Sequence, residues 1–188
     1  MMTKRVIDIV VSAGSLLVLA IPLLVIGLIV RMTSPGPALY WSQRVGRDNL
    51  EFQMPKFRSM RAGTPVTATH LLEKPDSYVT PFGGFLRKSS LDELPQLWCI
   101  LRGEMSLVGP RPALFNQHDL VELRTKAGVH RLAPGLTGWA QVNGRDEMSV
   151  ADKVDFDRYY LLNRSLALDL KVVILTAKKV LTREGVAH

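Results

Sequence analysis

Residues 9–30 read IVVSAGSLLVLAIPLLVIGLIV, a run without a charged side chain. At about 1.5 Å per residue such a run, as a helix, is long enough for a hydrocarbon core of roughly 30 Å, so a spanning helix is the starting assumption. It exceeds the apolar core of a cleavable leader, and no small-residue cleavage site follows, so the segment is expected to stay attached. Three features argue against a simple crossing. Lys4 and Arg5 precede the run and Arg31 follows it, so the preference of basic flanks for the cytoplasm pulls both ends to one face. Pro22 sits deep in the run, where it removes a backbone hydrogen bond and collides with the preceding turn. A helix that enters, bends near Pro22 and returns to its own side meets all three; a tilted, proline-kinked span is the competing arrangement. In the re-entrant form Asp8 lies near the headgroups, where a carboxylate is less costly than at the midplane.

Working outward, the composition changes after Arg31. Turn residues SPGPA at 34–38 mark a linker, which divides the chain into an N-terminal membrane segment, 1–33, and a polar domain, 34–188. Short aromatic-rich segments at 38–41 and 51–57 flank the polar GRDN at 46–49 and predict a small β-hairpin. Residues 63–81 lack periodicity and read as a surface excursion. Helical patterning returns near Ser90, over 116–127, 150–162 and 166–181. The last stretch is amphipathic, suited equally to packing on the domain and to lying on a membrane. The fold class expected is α+β: a mainly helical, membrane-associated domain with a small β-hairpin and an N-terminal re-entrant membrane helix.

The 188 residues carry a formal net charge of +7 and a pI near 9.8, which favours an anionic partner: nucleic acid, an anionic lipid surface or a phosphorylated substrate. The basic residues are spread along the chain without a recognised reader motif, which argues against nucleic acid. The single cysteine, Cys99, has no partner for an intrachain disulfide and reads as a small buried hydrophobe.

The densest candidate site is RKSSLDELPQLW, 87–98. Ser90 and Glu93 have the spacing of a capping box, which would account for Glu93 as a structural residue, although Pro95 disturbs that helix. The functional reading is that Asp92 and Glu93 are adjacent carboxylates at a helix N-terminus, a place that already attracts phosphate. One could attack phosphorus while the other holds a hard, oxygen-seeking cation such as Mg²⁺. Arg87 and Lys88 add positive charge. In SLVGPRP, 106–112, two prolines stiffen the loop that presents Arg111. GLTGWAQVNGR, 135–145, offers close backbone approach, an aromatic ring at Trp139 and the cation Arg145; a Trp packed beside a tight loop serves equally well. Lys56 and Arg58 in PKFRSM share one side of an extended segment, as a solvated pair or as ligands to an anion.

Taken in order, KRVIDI at 4–9, KFRSM at 56–60, SLDELPQLW at 90–98, GEMSLVGPRP at 103–112, PGLTGWAQVNGR at 134–145 and DRYYLLNRSLALDLKVV from Asp157 closely resemble the bacterial sugar transferase family. These are the monotopic phosphoglycosyl transferases, of which PglC-like proteins, the minimal form, are what this sequence resembles. The resemblance runs nearly end to end. It implies a two-step exchange at the cytoplasmic face of the bacterial inner membrane, the first membrane step of glycoconjugate assembly. Asp92 would attack the sugar-bearing phosphate of a UDP-sugar and release UMP, and polyprenol (undecaprenyl) phosphate would then take up the phosphosugar. On the same analogy Glu93 is a Mg²⁺ ligand, with Asp92 beside it, and Arg87 and Arg111 bind phosphate. Asp157 and Asp169 match acidic positions of the family, to bind substrate or to brace the fold. Membrane phospholipid is the implied surroundings; the sugar and the oligomeric state stay open. The rival is a membrane-tethered, non-catalytic adaptor binding anionic lipid or protein, which has no need of Asp92.

Overall fold

In the computed structural model, which describes residues 2–65, 67, 75–144 and 148–182, the N-terminal run forms two helices, α1 (Met2–Val18) and α2 (Ala20–Thr33), bent by 63°. The break follows from Pro22 in the first turn of α2. Its ring would strike the Val18 carbonyl of a continuous helix, and it has no amide to bond there. Among the described residues no single helix is long and apolar enough to cross a membrane; the bent pair passes only when taken together.

Strand β1 (Leu39–Val45) pairs antiparallel with β2 (Glu51–Phe57), from Leu39 opposite Phe57 to Val45 opposite Glu51. The hairpin lies where the sequence placed it, with a longer first strand. Its turn puts Asp48 and Asn49 at φ 55° and 60°, a region these two residue types tolerate. The excursion after Gly63 is described only in part; it includes a 3-10 turn at Pro75–Tyr78.

Next come α3 (Gly83–Ser89), a 3-10 turn at Leu91–Gln96 and α4 (Leu97–Arg102). The expected capping box does not form. Ser90 sits in the left-handed region at φ 57° and makes no side-chain cap hydrogen bond; it closes α3 and opens the following turn at once. With Pro95 inside, that segment stays a 3-10 turn, because proline cannot donate the bond that continues an α-helix.

The remainder comprises β3 (Ser106–Val108), β4 (Ala113–Leu114), α5 (His118–Lys126), β5 (Gly135–Thr137), α6 (Trp139–Asn143), α7 (Val150–Asn163) and α8 (Leu166–Thr182). The sheet is larger than the expected hairpin: β4 joins β1 to give the order β2-β1-β4, and β3 pairs parallel with β5. These strands of two or three residues are too short to show an alternating pattern. Their pairing explains two glycine-bearing motifs. A Cβ on Gly135 would run into the Gly109 amide, and one on Gly138 into the Gly109 carbonyl, so the two backbones pass in direct contact only because all three residues lack side chains.

Met54, Leu97, Cys99, Ile100 and Met105 form a core between hairpin and α4, with Leu16 of α1 against it. Ile26 and Val30 of α2 pack with Phe57 and Leu86. A third cluster, Val108, Leu132, Val142, Tyr160 and Val172, joins β3 to α7 and α8. Both N-terminal helices are thus docked on the rest of the protein. Their polar residues reinforce that: Lys4 Nζ lies 2.7 Å from Asp169, and Arg5 donates to the Ile100 and Leu101 carbonyls of α4.

Candidate active site

The left-handed Ser90 turns the chain so that Asp92 and Glu93 follow on a tight turn against β2. Lys56, the penultimate residue of β2, lies 2.8 Å from Glu93 Oε1, and Arg111 Nη2 lies 3.2 Å from the same oxygen. Three motifs distant in sequence therefore meet at one carboxylate. Asp92 is 8% exposed, and no hydrogen bond to its carboxylate is formed by the described residues.

The two acids differ sharply in proton affinity. Burial, with Glu93 adding to it, pushes the Asp92 carboxyl up to about 6 against the pull of Lys56, Arg87 and Arg111. Burial would raise Glu93 as well, but Lys56 and Arg111 bond it directly and hold it far below the usual carboxylate range. Glu93 is thus a fixed anion inside a basic pair, while Asp92 is the acid whose charge changes near neutral pH.

Both acids line a cavity of about 860 Å³. Among the described residues its wall carries six arginines and three lysines against only Asp92 and Glu93. Such an excess of cations in a partly dehydrated cleft suits a multiply charged anion.

The sequence-derived candidates take different places. Arg87, Arg111, Lys56 and Arg58 line the cavity. Arg58 also donates to the carbonyls of Ser34 and Pro35 and to the Ser34 hydroxyl, tying the linker to the end of β2. Lys88 is exposed and away from the cavity wall. Asp157 is 1% exposed and bonds Arg124, with Nη2 at 2.6 Å and Nε at 2.9 Å. Asp169 accepts from Lys4 and from the Tyr160 hydroxyl. Trp139 stacks on Tyr159 with ring centroids 5.4 Å apart, and Lys171 lies over it, so protein already covers its ring. Arg145 lies outside the described residues.

Two arginines that sequence reasoning passed over belong to this site. Arg44 of β1 donates to the Pro112 carbonyl, and Arg124 of α5 donates to the Arg111 carbonyl. Neither stands in a recognisable motif; only the pairing of β1 with β4 and the packing of α5 on α7 bring them there.

The model of the bacterial sugar transferase family matches residues 1–183. The chain belongs to that family. Among its relatives is the UDP-glucose:undecaprenyl-phosphate glucose-1-phosphate transferase of Xanthomonas campestris pv. campestris, 43% identical over 85% of this chain and 34% of that protein. The UDP-galactose-lipid carrier transferase of Erwinia amylovora is 38% identical over 97% of this chain and 41% of its own length. The chain thus spans roughly a third to two fifths of those relatives. The exopolysaccharide production protein ExoY of Rhizobium meliloti, 38% identical, is matched over 98% of this chain and 88% of its own length.

For a sugar transferase of this family, the place of a divalent cation can be tested on the donor set. Among the described residues no group of three acidic, histidine or cysteine side chains converges. Asp92 and Glu93 are nonetheless two hard oxygen donors on one wall. Both ion pairs of Glu93 use Oε1, leaving Oε2 without a bond among the described residues. A cation that takes one or two carboxylates and completes its shell with substrate phosphate and water fits this pair; an all-protein cage does not.

Proposed function

We propose that this chain transfers a sugar phosphate from a UDP-sugar to polyprenol phosphate through a covalent intermediate on Asp92. The observation that carries the reading is the contrast within the acidic pair: one carboxylate neutralised by two cations, its neighbour buried, without a hydrogen-bond donor among the described residues, and facing a cavity rich in arginine. An anion that must attack a diphosphate needs its charge on a side chain without competing partners and the repulsion from the phosphates cancelled nearby.

In the first step an Asp92 carboxylate oxygen bonds to the sugar-bearing phosphorus. The bond from that phosphorus to the bridging oxygen breaks, and UMP leaves with the electron pair. In the second step a phosphate oxygen of the polyprenol carrier attacks the same phosphorus. The Asp92 carboxylate is expelled, and a polyprenol diphosphate sugar is released. Arg87 and Arg111 bind the phosphates, and Lys56 keeps Glu93 ionised and in place. Mg²⁺, held by Glu93 with Asp92 beside it, would neutralise the diphosphate when bound. The names of two of the relatives above, a UDP-glucose:undecaprenyl-phosphate glucose-1-phosphate transferase and a UDP-galactose-lipid carrier transferase, support this substrate class.

The lipid acceptor stays in the bilayer, so the site must lie near the headgroups. We assign residues 1–33 as a re-entrant anchor and 34–188 as the catalytic part, on the cytoplasmic face of the bacterial inner membrane. The apolar side chains around the bend support this: Leu17, Val18, Ile21 and Leu24 are 74–79% exposed, an apex that water disfavours and lipid accepts. Meanwhile Lys4, Arg5 and Asp8 of α1 are bonded to the polar domain.

The test is a screen of UDP-sugars with undecaprenyl phosphate in detergent or nanodiscs, read by UMP release, followed by mass spectrometry of Asp92. A phosphosugar adduct on Asp92, lost in Asp92→Asn, is expected. Undiminished turnover in Asp92→Asn would sink the mechanism and favour the tethered adaptor.

A further inference from the structure

We propose that Arg124 is a positioning residue that sets Arg111 on Glu93, acting through the Arg111 backbone and oriented by Asp157.

The loop that presents Arg111 is held at nearly every residue. Ser106 and Leu107 donate to Asp8, and Tyr160 donates to the Val108 carbonyl. The Gly109 amide bonds the Thr137 carbonyl, and the Gly135 amide bonds the Pro110 carbonyl. At Arg111 itself the carbonyl is taken by Arg124 Nη1 at 2.8 Å, and at Pro112 by Arg44 Nη1 at 3.2 Å. The prolines on either side of Arg111 carry no amide hydrogen, so the backbone between them has few groups by which it can be fixed. What remains is the Arg111 amide and the carbonyls.

Arg124 is built to hold rather than to bind and release. Its side chain is 11% exposed and that of Asp157 is 2% exposed. Nε and Nη2 face one carboxylate oxygen while Nη1 reaches the Arg111 carbonyl. All three guanidinium nitrogens are thus engaged by protein. The planar fork requires the three contacts to be satisfied together, which an ammonium cannot do. Asp157, on α7, has the buried charge that this role requires, and the pair bridges α5 to α7.

The inference rests on the reading of Arg111 as a phosphate binder, and two assays separate the claims. The first is a double-mutant cycle of Arg124→Gln and Arg111→Gln in the full-length chain, read as kcat/KM for UMP release. The second is the same cycle read calorimetrically as the affinity for inorganic diphosphate, which needs no turnover. If Arg124 acts through Arg111, Arg124→Gln lowers each quantity by on the order of tenfold or more, and the double variant is no worse than Arg111→Gln alone. Arg124→Lys, which keeps the charge but not the fork, recovers only part of the loss. Multiplicative losses in the diphosphate cycle would overturn the proposal by making Arg124 an independent contact. So would full recovery by Arg124→Lys. A wild-type chain that turns over no UDP-sugar, yet shows the non-additive diphosphate cycle, would defeat the reaction and leave the positioning role standing. If Arg124→Gln does not fold, the paired replacement R124M/D157M, which removes both buried charges together, takes its place in the cycle.

Discussion

The carboxylate of Asp8 accepts a 2.8 Å hydrogen bond from the hydroxyl of Ser106, a residue 98 positions further along the chain. Its second oxygen accepts from the Leu107 amide at 3.0 Å. Since Ser106 opens the strand that leads into the Arg111 loop, the N-terminal helix and the candidate site share one rigid connection. Asp8→Ala would leave two shielded donors without an acceptor. A loss of about 3 kcal/mol is expected, measured by denaturant unfolding in detergent. A change within about 0.5 kcal/mol would mean that water replaces the carboxylate and the connection is weak.

Asp92 is expected to trade stability for reactivity. Its carboxyl, raised to about 6 from 3.8, binds its proton more tightly in the folded than in the unfolded chain. Its favourable contribution is therefore complete below 3.8 and disappears as the pH climbs through about 6. Asp92→Asn should stabilise the protein by roughly 3 kcal/mol at pH 7.5 and by only about 1 kcal/mol at pH 4.5. Thermal unfolding at the two pH values checks this; a variant less stable than the parent at pH 7.5 would contradict it.

The same group sets the acid limb of the proposed reaction. The nucleophile must be ionised, so single-turnover UMP release should fall below a pH of about 6 and level off above it. Glu93, held ionised far below that range, should not contribute to this limb. A rate independent of pH between 5 and 8 would argue against Asp92 as the attacking group.

Removing the counter-charge at Glu93 strands Lys56. The two side chains are 20% and 15% exposed, so Glu93→Gln should cost about 3 kcal/mol, the low end for breaking a shielded pair. Combining it with Lys56→Met should recover much of that loss while activity stays abolished. Stability by denaturation and UMP release, measured together, separate the structural from the chemical role.

Pro22 is expected to hold the N-terminus on the cytoplasmic side. Pro22→Leu restores an amide at the bend, and a straight helix over residues 2–33 would be about 48 Å long, enough to span a bilayer. A membrane-impermeant maleimide applied outside the cell should leave Thr3→Cys unlabelled in the parent and label a fraction of it in the Pro22→Leu background. Outside labelling in the parent would defeat the re-entrant arrangement.

Much of the site was legible where one residue type carries both conformation and chemistry. The adjacent acids and the arginine between two prolines are local patterns with local meaning; in the 135–145 segment the glycines give the expected close backbone approach, whereas Trp139 packs on Tyr159. The Ser90–Glu93 spacing suits a capping box and also a left-handed serine between two short helices, and φ is not written in the letters. Arg44 and Arg124 went unremarked because an arginine on a strand or a helix looks like any solvated cation until another element covers it. Asp157 could be read either way from the sequence; its burial against Arg124 is a tertiary fact.

By itself, the sequence determined the N-terminal apolar run, its break at Pro22, the hairpin and the motifs that place the chain among bacterial sugar transferases. The first three depend on steric limits or periodicities acting over a few residues, and the motifs act by resemblance. Only the tertiary structure decided that Lys56 and Arg111 share one oxygen of Glu93, that Asp92 has no hydrogen-bond donor among the described residues, and that Asp8 ties the first helix to the Arg111 loop. Those relationships join residues far apart in the chain, and they arise from the burial of charge, whose cost is fixed by what surrounds a group in space rather than by its neighbours in sequence.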